Sequence, residues 1–81
     1  MATEPERALA EILRELRDQL GDSQEAFADR VGVARNTIAS AEIGQRTPSF
    51  QTLWRLSAGA GIPLSTLIAR VERKVRSSHA A

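Results

Sequence analysis

Ser23-Gln24-Glu25-Ala26-Phe27-Ala28-Asp29-Arg30-Val31-Gly32-Val33-Ala34-Arg35-Asn36-Thr37-Ile38 is the stretch that decides the fold. Ser23 suits an N-cap, because its hydroxyl can accept from a free N–H of the first helical turn. Phe27, Ala28 and Val31 follow at i, i+1 and i+4, the spacing of one apolar helix face. Gly32 fits the position just past that helix, where the missing Cβ makes left-handed backbone cheap. Val33 is an apolar plug in the turn, and a second short helix carrying Ile38 inward starts at once. Two short helices therefore meet across a tight glycine turn.

Outward from this pair, the pattern stays helical. Leu9, Ile12, Leu13, Leu16 and Leu20 are spaced as the inner face of a first helix over about Pro5 to Leu20, stopped by Gly21. Pro5 suits a first helical turn, and Glu6 lies near the positive end of its dipole. The central pair is predicted over Gln24 to Val31 and Arg35 to Glu42. A loop of Ile43-Gly44-Gln45-Arg46-Thr47-Pro48 follows, then a fourth helix capped by Ser49 with Phe50, Leu53, Trp54 and Leu56 as its apolar residues. Gly59 should fray its last turn. A fifth helix starts near Pro63 or Leu64, with Leu64, Leu67, Ile68, Val71 and Val75 on one face. No strand pattern occurs. The chain reads as all-α and five-helical: residues 1–8 a partly flexible N-terminus, 9–72 the domain, and 73–81 a basic, frayed tail.

With 81 residues and no cysteine, this is one small domain without disulfides, thiolate metal sites or cysteine catalysis, as a reducing cytoplasm would favour. No apolar run approaches the roughly 20 residues of a membrane span. The start, Met1-Ala2-Thr3-Glu4-Pro5-Glu6, lacks a signal peptide's basic region and apolar core. We expect a cytoplasmic protein with no membrane partner. The net charge is only +1, but its distribution is uneven. Acids crowd the front, whereas from Arg30 onward only Glu42 and Glu72 stand against Arg30, Arg35, Arg46, Arg55, Arg70, Arg73, Lys74 and Arg76. That polarity permits one basic face on a nearly neutral protein.

Two short helices across a glycine turn form a helix-turn-helix, whose second helix can enter the major groove of DNA. The register of many further positions resembles the Cro/lambdoid-repressor type of helix-turn-helix domain, the XRE family. Arg17, Gly21, Ser23-Gln24, Ala28, Gly32-Val33, Ile38, Glu42, Gly44, Pro48-Ser49, Leu53, Leu56, Gly61-Ile62 and Leu64 carry the likeness, over about Leu9 to Arg70. It implies a compact lambda-repressor-like DNA-binding domain in a bacterial or phage-derived, nucleoid-associated protein.

A helix in the major groove presents its N-terminal residues to base edges. Arginine offers a bidentate fork to guanine O6/N7, and asparagine can do the same for adenine N6/N7. Arg35 and Asn36 sit where that is feasible, and the resemblance assigns base contacts to them and to Ser40, one turn further along. Thr37 suits a phosphate or a thymine methyl. Gln24 opens the helix that crosses the DNA backbone in the family, where free N–H groups and the dipole favour a phosphate. Gln45, Arg46 and Thr47 of the following loop would meet phosphates on the other side.

Arg17 and Glu42 occupy positions that form a partly buried ion pair in the family, orienting the recognition helix. The chain departs from the family pattern at Asp22, Ala41, Ile43, Ala60 and Pro63. Trp54 either fills the space left by the small Ala60 or, with the Ile68, Val71 and Val75 stripe, forms a candidate dimer surface.

The leading function is therefore a sequence-specific regulator of transcription, a repressor that binds a palindromic operator on double-stranded DNA as a homodimer. The alternative is an antitoxin-like module with a protein partner, in which DNA binding serves autoregulation. An enzyme is disfavoured: His79 is the only histidine, and no nucleophile–base pair, metal-ligand cluster or phosphate-cradling glycine loop is present. No metal and no cofactor are expected.

Overall fold

The computed structural model describes residues 3–79. The order is α1 (Glu4–Leu20), α2 (Gln24–Val31), α3 (Arg35–Glu42), α4 (Phe50–Ala60) and α5 (Leu64–His79). The chain is all-α, as its periodicity predicts, and no strand occurs among the described residues.

Local chemistry sets the boundaries. Thr3 caps α1 in a capping box: its side chain accepts from Glu6 N, while Glu6 accepts from Thr3 N. Ser23 and Ser49 cap α2 and α4 by accepting from Ala26 N and Thr52 N, both at 3.1 Å. Gly32 ends α2 at φ 75°, left-handed backbone that costs an L side chain roughly 1–2 kcal/mol.

The core lies between α1 and the other four helices. Phe27, Leu13, Ile38, Leu56 and Leu67 are its largest fully buried apolar side chains. Leu9, Ile12, Leu16, Ala28 and Val31 join them. α1 packs against α5 and α3, and α2 against α3 and α4.

Four expectations are corrected. Residues 4–8 are not a flexible arm, because the capping box starts α1 at Glu4 and Ala8 is already buried. The tail from residue 73 is not frayed within the described residues: α5 continues to His79 and lies along α1. There, Lys74 Nζ meets Glu15 at 3.0 Å and Glu11 at 3.2 Å, and His79 Nε2 meets Glu4 at 2.6 Å. The flexibility expected at 1–2 and 80–81 lies outside the described residues. Gly59 does not fray α4; it is where α4 crosses α2, and a Cβ there would sit 2.5 Å from Val31 Cγ1 and 2.9 Å from Val31 Cα. Finally, Trp54 does not fill the space beside Ala60, because it is 60% exposed.

Candidate nucleic-acid interface

The second helix of the motif, α3, is only eight residues long and poorly capped by its own sequence. Ala34 at its N-cap offers no side-chain bond, and Ile43 at its C-cap has φ −105° rather than the left-handed turn that closes α2. An isolated helix of two turns is unstable in water. It is held here from behind, by α1.

Arg17 Nε donates to Glu42 Oε2 at 2.6 Å and Arg17 Nη2 donates to Glu42 Oε1 at 3.0 Å. Arg14 Nη1 donates to the Glu42 backbone carbonyl at 2.5 Å, satisfying one of the free carbonyls at the end of α3. Glu42 is 2% exposed, so its charge depends on these partners. The Glu42 carboxylate holds the Arg17 guanidinium pKa above its ordinary value. Arg17 Nη1 also donates to the Asp22 carbonyl at 3.1 Å, tying the α1–α2 turn into the same clamp.

Gln24 joins this network: its Nε2 donates to Glu42 Oε1 at 3.1 Å. The residue expected to meet DNA backbone is therefore already oriented by the carboxylate that orients α3. Asp22, a departure from the apolar pattern, is accommodated by a two-pronged pair with Arg30, at 2.7 and 3.1 Å. Arg30 holds the Asp22 carboxyl below its ordinary pKa. Arg55 Nη1 donates to the Gly32 carbonyl at 2.9 Å. Arg30 and Arg55 are thus engaged within the domain, and Lys74 lies with the carboxylates of α1.

Arg35 and Asn36 stand exposed at the N-terminal end of α3, while Thr37 and Ser40 are half-buried along it. Beside them opens a polar hollow of about 590 Å³ between α3 and the α3–α4 loop. Asn36, Thr37, Ser40, Gln45, Arg46 and Thr47 all line it. Six of the eight expected contact residues are thereby gathered around one concavity. Arg35 and Gln24 are outside its lining. Ser49 and Thr52, not singled out from the sequence, complete its wall, with Ser49 Oγ donating to Thr52 Oγ1 at 3.0 Å. Thr47 Oγ1 donates to Glu6 Oε2, a contact no sequence signal indicated. Arg14 did leave a signal: it precedes Arg17 by three residues, the spacing of one helix face.

The four candidate dimer residues separate. Trp54 and Ile68 border an apolar groove of about 840 Å³ with Ile62, Pro63 and Leu64. Phe50 extends the exposed strip, its ring 6.2 Å from that of Trp54. Val71 instead packs against the core, and Val75, four residues on along the same face of α5, is half-buried. Among the described residues no helix is long and apolar enough to cross a membrane, and no acidic, His or Cys cluster could hold a metal ion.

Residues 13–67 match the helix-turn-helix family HTH_3. The chain is 34% identical over 62 residues to the HTH-type transcriptional regulator SutR of Escherichia coli, covering 76% of this chain and 35% of that protein. It is 40% identical over 63 residues to the control protein C.MunI of a Mycoplasma species, covering 76% of this chain and 85% of that one. An HTH_3 family transcriptional regulator from Vibrio cholerae, known from its crystal structure, matches with a TM-score of 0.74 and 29% identity, over 83% of this chain and 39% of that one. The chain thus spans about a third of SutR and most of C.MunI. With the motif, the clamp behind it and the match over most of the domain, the chain belongs to the HTH_3 family of XRE-type helix-turn-helix proteins.

Proposed function

We propose that the chain is a sequence-specific double-stranded DNA-binding regulator of transcription, acting as a repressor and as a homodimer on a two-fold operator. The observation that carries this reading is the recognition helix itself. A short helix with weak caps is clamped by Arg14 and Arg17 through Glu42, leaving Arg35 and Asn36 exposed at its leading end beside a polar hollow. Rigid placement of donors is what base readout requires, and the hollow suits a strand of phosphates. With Arg35 as its only arginine, α3 has few long side chains, so one copy should bind weakly and two should bind well. The groove at Trp54 and Ile68 is apolar and exposed, which supports its use by a second copy. This reading places the protein in the cytoplasm, on the nucleoid, with no enzymatic activity.

Selection of duplexes from a random pool, followed by footprinting, tests it. The expected result is a two-fold site whose half-sites lie about 34 Å apart, one helical turn. Equal affinity for selected and random duplexes at physiological salt overturns it. The groove also supports the second reading, an antitoxin-like module, and a stoichiometric co-purifying protein would select that reading instead.

A further inference from the structure

We propose that Glu6 is a positioning residue for DNA binding, whose carboxylate fixes the outer half of the α3–α4 loop to the start of α1. The inference rests on the DNA-binding reading above. Glu6 uses both oxygens: Oε1 accepts from Thr3 N at 2.8 Å, and Oε2 accepts from Thr47 Oγ1 across 41 residues of sequence. The same group caps α1 and ties down the loop.

The loop needs that tie. Its first half is fixed by Gly44 N to the Ala41 carbonyl at 3.2 Å and Gln45 N to the Ser40 carbonyl at 3.0 Å. From Arg46 to Pro48, the bond to Glu6 is the link to another element among the described residues. It also changes what Thr47 can do. Its hydroxyl proton is committed to Glu6, so the oxygen that remains is an acceptor, which a phosphate cannot use. Thr47 thus serves by placing the hollow's rim and the exposed Arg46. Glu6 carries a negative charge towards DNA, which opposes binding electrostatically; its contribution is geometric. Those two effects have opposite signs, so they are separable.

The test uses the full chain and a duplex selected from the random pool, at a temperature where circular dichroism shows every variant folded. Glu6→Ala should weaken binding about threefold to tenfold, the scale of one lost hydrogen bond. That loss should vanish in a Thr47→Val background. Glu6→Gln, which keeps an acceptor oxygen and the capping box, should lose less. In the free protein, Glu6→Ala should shift the amide resonances of Gln45, Arg46 and Thr47. Unchanged or tighter binding by Glu6→Ala, an equal loss in the Thr47→Val background, or unmoved loop amides would each overturn the proposal. If the parent prefers no duplex, the DNA-binding reading fails, and the loop amides alone then decide whether Glu6 holds the loop.

Discussion

Arg17 and Glu42 are joined at both carboxylate oxygens, at 2.6 and 3.0 Å, and the join spans 25 residues of sequence. The two partners differ in what they lose if separated. Glu42 is 2% exposed, whereas the Arg17 side chain is 19% exposed and can swing into water. Arg17→Ala therefore strands the buried charge and should cost about 3–5 kcal/mol in urea unfolding. Glu42→Gln, which leaves an uncharged acceptor for Arg17 and does not touch the backbone carbonyl that Arg14 meets, should cost less. Losses below ~1 kcal/mol for both, the range of surface pairs, would mean that the clamp contributes nothing beyond a solvated contact.

Gly59 and Gly61 lie two residues apart and should respond to alanine for opposite reasons. At Gly59 the backbone is helical, where alanine is favoured by about 1 kcal/mol, yet the new Cβ would sit 2.9 Å from Val31 Cα. Backbone cannot yield as a side-chain tip can, so Gly59→Ala should destabilise by about 1–3 kcal/mol through overpacking. At Gly61 nothing lies within 4 Å, and the cost comes from φ +78° alone. Gly61→Ala should cost about 1–2 kcal/mol. Thermal unfolding of the two variants checks the contrast, and Gly61→Asn should recover part of the loss while Gly59→Asn should not.

The helices were legible wherever termination chemistry was local. Ser23, Gly32 and Ser49 mark α2 and α4 within a residue because a cap is a contact between near neighbours. The close approach at Gly59 was not legible, since a glycine inside a helix reads as weakness until the crossing helix is seen. The extension of α5 is hidden for a related reason: Lys74 and His79 read as solvated polar side chains in sequence, and only the fold brings Glu15, Glu11 and Glu4 beneath them. Within the interface, Arg35 and Asn36 follow from their place at the start of α3. The ties of Arg14 to the Glu42 carbonyl and of Glu6 to Thr47 join residues 28 and 41 apart. The spacing of Arg14 to Arg17 puts Arg14 on the right helix face but does not name its partner, and no local pattern points to the Glu6 tie.

Acid should loosen the fold in part through Glu6. Its carboxyl pKa is pushed down from 4.5 to about 2 in the folded chain, first by the Thr3 backbone N–H and then by the Thr47 hydroxyl. A depressed folded-state pKa means that the unfolded chain binds the proton more readily. The stabilisation is therefore fully present above about pH 4.5 and is lost as pH falls towards 2. Asp22, held low by Arg30, acts in the same direction. Unfolding midpoints across that range should fall less steeply for Glu6→Gln than for the parent. Parallel curves would show that Glu6 does not contribute to the acid dependence.

Arg35 and Arg46 are both exposed, neither side chain has a hydrogen-bond partner among the described residues, and they should fail differently. Arg35 begins α3, at the end that a major-groove helix presents to base edges. Its removal should cost about 1–3 kcal/mol at one base position and relax the preference there. Arg46 lies on the loop at the rim of the hollow, where a phosphate is the available partner. Arg46→Ala should weaken all duplexes alike and reduce the slope of log affinity against log salt by about one. Competition with single-base variants of the selected site, at several salt concentrations, separates the two. A uniform loss for Arg35→Ala with a smaller salt slope would make it a backbone contact and move the reading of bases to Asn36 and Ser40.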